Sequence, residues 1–206
     1  MWHLLFRGAL PDVATSKRFG DEVRARRTLP PGLTTLLPAL ARRGAPLDVL
    51  RTAVSVLASE LGWRPTHDIG ADELADQAIG LCAVVPTILA AAHRLREGNE
   101  PLEPQDDLGF AANYLYMLTG EVPTADHARA IEQYMILTID HGFNASTFTA
   151  RVVTSTGADL GAAIVAAIGA LSGPLHGGAP SRALDMLDAI GTPDRAEAYV
   201  RQAVEN

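Results

Sequence analysis

Three features of the sequence predict an all-α fold. Apolar residues recur at spacings of three and four along most of the chain. No run alternates apolar and polar residues in the manner of a strand. Alanine is abundant while aromatic residues make up only 5%, a composition suited to closely packed helices. The elements follow in order. The segment WHLLFRG reads as the last turns of a helix stopped by Gly8. Asp12 to about Arg27 is amphipathic, and Leu33–Leu40 forms a short helix with Pro30 and Pro31 at its start. In APLDVLRTAVSVLASELGW, residues Leu47, Leu50, Val54 and Leu57 line one helical face. Asp72–Glu97 reads as a long helix bent at Pro86. Asp106–Thr119 is a helix stopped by Gly120, and Thr124 is placed to cap a helix over 125–139. Helices over 145–156, 158–172, 178–190 and 194–205 complete the pattern.

Bulk properties narrow the function. The chain has 206 residues, of which 48% are apolar, so it can bury a sizeable core. A formal charge of −7 argues against a nucleic-acid partner. The single cysteine, Cys82, excludes an intramolecular disulfide and fits a reducing, cytoplasmic setting. The N-terminal apolar run is interrupted by Arg7 and is too short for a signal peptide. The most apolar stretch, GADLGAAIVAAIGALSG, is bounded by glycines and carries Asp159, so no membrane span is expected. Basic clusters at Arg24–Arg27 and Arg42–Arg43 read as solvated helix ends, or else as part of an anion-binding rim.

The candidate chemistry lies in the histidines. None of the six falls in a zinc pattern, and no nucleophile elbow, phosphate loop or dinucleotide fingerprint is present, so no metal or cofactor is expected. His3, His67, His93 and His127 are assigned to surface or helix roles. His141 sits in TIDHGFNASTFTARV, where one helix breaks at Gly142 and another starts. This is either a turn, with Asn144 or Ser146 as the cap, or a cleft in which His141 and Asn144 hydrogen-bond an anionic ligand. His176 sits in GPLHGGAP between two helices. That junction is either a simple turn or a rigid mount for a catalytic imidazole, with Gly177 and Gly178 letting a ligand approach.

The segments LDVLRTAVSVL, DDLGFAANYLYMLTGEVP, DHGFNASTFTARVVTSTGADL and AAIGALSGPLHGGAP resemble, in order and over nearly the whole chain, landmarks of the citrate synthase family. NAST-F-TARV and GALSGPLHGGA are the specific ones. DHGFN and GGAPSRAL resemble an actinobacterial-type branch that holds citrate and 2-methylcitrate synthases. The resemblance implies an all-α homodimer, with residues 1–176 in a large helical domain and 177–206 beginning a small one. It implies condensation of acetyl-CoA, as co-substrate, with oxaloacetate to give citrate and CoA, at the entry to the tricarboxylic acid cycle; propionyl-CoA and 2-methylcitrate are the alternative. On this resemblance His176 supplies the hydrogen bond at the thioester oxygen, His141 holds oxaloacetate, and Asn144, Gly177 and Gly178 assist binding. Family members often carry a further histidine where this chain has Thr138.

Two further catalytic groups of the family, a histidine in a G-F-G-H-type motif and an aspartate base, have no counterpart here, since no G-x-G-H occurs. The resemblance therefore implies an internal portion of the enzyme, lacking the N-terminal start and the C-terminal catalytic part, and an isolated chain without turnover. A fragment, a truncated product and a polypeptide completed by a second chain are all compatible with this. A non-catalytic helical dimerisation or ligand-binding homologue is the alternative of a different class.

Overall fold

The computed structural model describes residues 1–140 and 142–205; the side chains of residues 179–181 are also outside the description. The described residues form eleven α-helices and no strand, so the chain is all-α. The helices are α1 (Trp2–Arg7), α2 (Val13–Arg24), α3 (Pro31–Ala41), α4 (Pro46–Glu60), α5 (Ala71–Arg96), α6 (Phe110–Thr119), α7 (Ala125–Thr138), α8 (Ala145–Thr154), α9 (Leu160–Leu171), α10 (Ala179–Ile190) and α11 (Ala196–Glu205). Single 3-10 turns occur at Thr66–Asp68 and Pro193–Arg195.

Local chemistry sets most of the boundaries. Gly8 and Gly120 end α1 and α6 in the left-handed conformation. Side-chain oxygens of Asp12, Thr124, Asn144 and Asp159 accept from backbone N–H groups in the first turns of α2, α7, α8 and α9. The start of α3 has no such residue. The Glu60 carboxylate, at the far end of α4, accepts instead from the N–H groups of Gly32 and Leu33, at 2.8 and 3.2 Å. The helix expected from Asp106 begins only at Phe110. A turn closes between Gln105 and Leu108, and buried Asn113 accepts from the Gln105 N–H.

The core is the packing of α3, α4, α5 and α9. Leu33, Leu37, Val54, Leu57 and Ile88 have almost no exposure, so the predicted apolar face of α4 is the buried one. Gly161 lets α9 approach α4 closely, because a Cβ there would collide with that of Ala58. Helix α5 continues through Pro86 as one element of 26 residues. By length and composition it could cross a membrane, with a mean hydropathy of 1.7 over its best 18-residue window; the sequence reading, which considered only the α9 stretch, missed this. Its apolar side chains, among them Leu81, Val84 and Ile88, instead form the centre of the core.

The remaining helices are less embedded. Helix α7 leans on α6, and α8 on α9, and neither contains a buried residue. Helices α10 and α11 make no extensive contact with the α3–α4–α5–α9 core.

Candidate active site

The end of α7, the start of α8, the end of α9 and the turn before α10 meet around an open cleft of ≈ 270 Å³. Asp140, Gly142 and Asn144 line it on one side and His176 on the other, over an apolar floor of Ala167, Ile168 and Leu171. His141 lies outside the described residues, although both its neighbours line the cleft.

Each wall has a local reason for its shape. Gly142 has φ +89, a conformation that L side chains rarely adopt, so glycine is required there. Its N–H donates to the Asp140 carboxylate at 3.0 Å, which ties the turn to itself. Asn144 then caps α8, accepting from the Thr147 N–H at 3.0 Å. Of the two capping candidates the structure selects Asn144 and releases Ser146 for another partner.

That partner is His176. Ser146 Oγ and His176 Nε2 lie 2.5 Å apart, joining residues thirty positions apart in the chain. The sequence reading missed this contact and assigned Ser146 only a possible cap. The available signal was position: Ser146 sits in the first turn of the helix that Asn144 starts, beside the loop already singled out. The turn carrying His176 is held by its own backbone, with the N–H groups of His176 and Gly178 donating to the Gly173 carbonyl at 3.0 and 3.1 Å.

The glycines of this turn are explained by packing, since Gly173, Gly177 and Gly178 all have negative or extended φ. A Cβ on Gly177 would collide with the Leu171 carbonyl and come within 2.7 Å of Leu171 Cγ. A Cβ on Gly178 would crowd the Gly173 carbonyl and Pro174. Close approach within the protein, between this turn and the end of α9, thus demands glycine before any ligand is considered. Both aspartates near the histidines in sequence have local structural roles: Asp140 accepts from Gly142, and Asp159 caps α9. Among the described residues no cluster of ligating side chains could hold a metal ion.

The citrate synthase C-terminal domain family matches residues 1–206. The chain belongs to the citrate synthase family. It is 44% identical over 198 residues to a 2-methylcitrate synthase of Mycobacterium tuberculosis, covering 96% of this chain and 49% of that protein. It is 41% identical over 202 residues to a citrate synthase of Deinococcus radiodurans, covering 98% of this chain and 53% of that protein. Among solved structures, citrate synthase from Thermotoga maritima superimposes with a TM-score of 0.86 at 34% identity, covering 99% of this chain and 52% of that one. The ternary complex of citrate synthase from the archaeon Thermoplasma acidophilum with carboxymethyl coenzyme A and oxaloacetate gives a TM-score of 0.89 at 25% identity, covering 98% and 52%. The chain thus spans about half the length of the relatives it matches.

Proposed function

We propose that this chain contributes one wall of a citrate synthase-type active site, which condenses an acyl-CoA with oxaloacetate. The observation that carries the reading is the single cleft lined by both the Asp140–Asn144 turn and His176. The hard step is removal of a proton from the carbon next to a thioester, and it needs a hydrogen-bond donor where enolate charge develops. His176 is that donor. When the Ser146 hydroxyl donates to Nε2, the neutral imidazole carries its proton on Nδ1, available to the thioester oxygen. Ser146 is then a positioning residue. His141 holds oxaloacetate, and Asn144 keeps its turn in place by capping α8. Gly177 and Gly178 let the ring sit against the end of α9. No cofactor takes part; acetyl-CoA is a substrate.

Acetyl-CoA is the first reading of the acyl donor and propionyl-CoA the second, since relatives of both kinds match at 41% and 44% identity. One methylene is worth only about 1–3 kcal/mol of discrimination. The assembly is a homodimer in a reducing, cytoplasmic setting, a reading supported by the exposed Tyr134, Leu137, Phe148 and Val152 on α7 and α8 and by the lone cysteine. The domain division falls between His176 and Gly177, a reading supported by the sparse packing of α10 and α11 on the core.

Thiol release from acetyl-CoA and oxaloacetate tests the reading. The 206-residue polypeptide alone is expected to give no turnover, because neither the G-F-G-H-type histidine nor the aspartate base that the family resemblance implies has a counterpart in it. A longer polypeptide that adds a G-F-G-H segment and a later aspartate is expected to turn over. In it, His176→Ala should cost about 10²–10³-fold in kcat. Ser146→Ala should cost less and shift the pH profile of kcat/KM, with partial rescue by Ser146→Thr. Robust turnover by the 206-residue chain, lost in His176→Ala, would overturn the account of the base. A hundredfold preference for propionyl-CoA would overturn the first choice of substrate.

A further inference from the structure

A second cavity, of ≈ 320 Å³, opens between α1–α2 on one side and α6–α7 on the other. Its walls are apolar: Trp2 and Phe110 meet edge to face at 4.8 Å, and Phe19, Met135 and Ile136 extend the lining. The charged side chains in the lining are Arg24, Arg27 and Glu132. From sequence, the arginine cluster reads as a solvated helix end or as part of an anion-binding rim. Arg24 is partly exposed and its guanidinium pairs with Asp21 through Nη1, although its Nε, like that of Arg27, is buried without a partner.

Arg27 is only 5% exposed. Thr87, in the buried centre of α5, donates to the Arg27 carbonyl at 2.7 Å and fixes its backbone. Its guanidinium donates through Nη1 to the Leu108 carbonyl at 3.2 Å and lies 5.6 Å from the centre of the Phe110 ring. Nε is buried without a hydrogen-bond partner. No carboxylate lies within ion-pair distance among the described residues: Glu132, on the cavity rim, pairs with neither arginine, and Asp106 exerts only a weaker attraction from farther away. Burial and the neighbouring Arg24 charge both disfavour the Arg27 cation. A buried charge is ordinarily compensated by a paired group, and among the described residues no carboxylate pairs with this one.

We infer that this cavity binds a small carboxylate with an apolar body, its carboxylate against Arg27 and its body among Trp2, Phe19, Phe110 and Ile136. The cavity size falls in the range of small-molecule sites, and the combination of mainly apolar walls with one cation that no carboxylate pairs selects an amphipathic monoanion. A second carboxylate would meet Arg24, already paired with Asp21, and the Glu132 carboxylate. The site is separate from the His176 cleft, although Ile139 at the end of α7 lines both. The inference does not depend on the condensation reading.

Calorimetric titration of the 206-residue chain with hexanoate, 1-hexanol and hexylamine tests it. Hexanoate should bind at one site at least about tenfold more tightly than hexanol, the size of one charge-assisted hydrogen bond, and hexylamine more weakly than either. Arg27→Met should abolish that preference and Arg24→Gln should change it by less than about threefold. If Arg27→Met fails to fold by circular dichroism, Ile136→Trp decides the matter. It fills the cavity from the exposed side of α7 while keeping Arg27, and should remove hexanoate binding. Equal affinity for acid and alcohol, or hexanoate binding that survives Ile136→Trp, would overturn the proposal.

Discussion

The α3–α4–α5–α9 core and the α7–α8 flank of the cleft are built from similar leucine, isoleucine, valine and alanine patterns, yet they differ sharply in burial. Leu57 is 2% exposed on α4, whereas Leu137 is 79% exposed on α7. Both positions look alike in a helical periodicity. What separates them is the number of helices packed closely against each: α4 packs against α3, α5 and α9, while among the described residues α7 packs extensively on α6 alone. Side chains placed at the edge of a rigid core can be held firmly on one side and left open to a ligand or a partner on the other. His176 is such a case, seated on the end of α9 and facing the start of α8.

The largest test of this contrast is a pair of truncations. Leu57→Ala should cost about 2–5 kcal/mol of unfolding free energy, through lost burial and a residual cavity. Leu137→Ala should change it by less than about 0.5 kcal/mol. Urea denaturation of both variants gives the comparison. A cost above about 1 kcal/mol at Leu137 would show that α7 is covered in solution, as a partner copy would require.

Next in size are two glycines of the cleft that are glycine for different reasons. Gly177→Ala drives a methyl into Leu171 and should cost about 1–3 kcal/mol. Gly142→Ala meets no neighbour but must hold φ +89, at about 1–2 kcal/mol. Only the first should displace the His176 ring, so the histidine side-chain resonances should move in Gly177→Ala and stay in Gly142→Ala. Movement in both would mean that the two walls are coupled.

The same contrast shows what sequence reasoning could reach. Local chemistry was legible: Gly8, Gly120 and Thr124 end or start helices as expected, and the breaks around His141 and His176 were found from glycine, proline and the Asn144 cap. Contacts between distant segments were not. Glu60 caps α3 from 28 residues away, and Ser146 reaches His176 across thirty. Arg27 lies in a run of basic residues that reads as solvated, but the arrival of α5 and α6 buries it. Each of these depends on which helices become neighbours, and periodicity within a helix carries no record of that.

Caps allow a finer comparison, because Asn144 and Asp159 do the same job on α8 and α9. Either residue changed to alanine should cost about 1 kcal/mol. Asn144→Ala should also weaken oxaloacetate binding in the longer polypeptide, since it frees the turn that lines the cleft. Asp159→Ala should leave binding unchanged. Equal effects on binding would deny Asn144 any role beyond that of a cap.

The smallest effect concerns the cap farthest from the core. Asp12 accepts from the Thr15 N–H at 2.7 Å, and this hydrogen bond holds its carboxyl below the usual aspartate value of 3.8. A carboxylate with a depressed folded-state pKa stabilises the fold fully above its unfolded pKa, and the contribution disappears as pH falls through the folded value. Asp12→Asn keeps a competent N-cap but removes the titration. The difference in stability between wild type and Asp12→Asn should therefore be constant well above the unfolded aspartate pKa and shift towards the asparagine variant as pH falls through the lowered folded value. Denaturation midpoints of the two proteins at matched pH measure it, and the pairwise difference cancels the acid sensitivity of every other carboxylate. A difference that stays constant across the whole range would show that the Asp12 charge adds nothing to the hydrogen bond. The exposed end of α2 would then be held by geometry alone, as the starts of α4 and α5 are, where no side chain caps the helix.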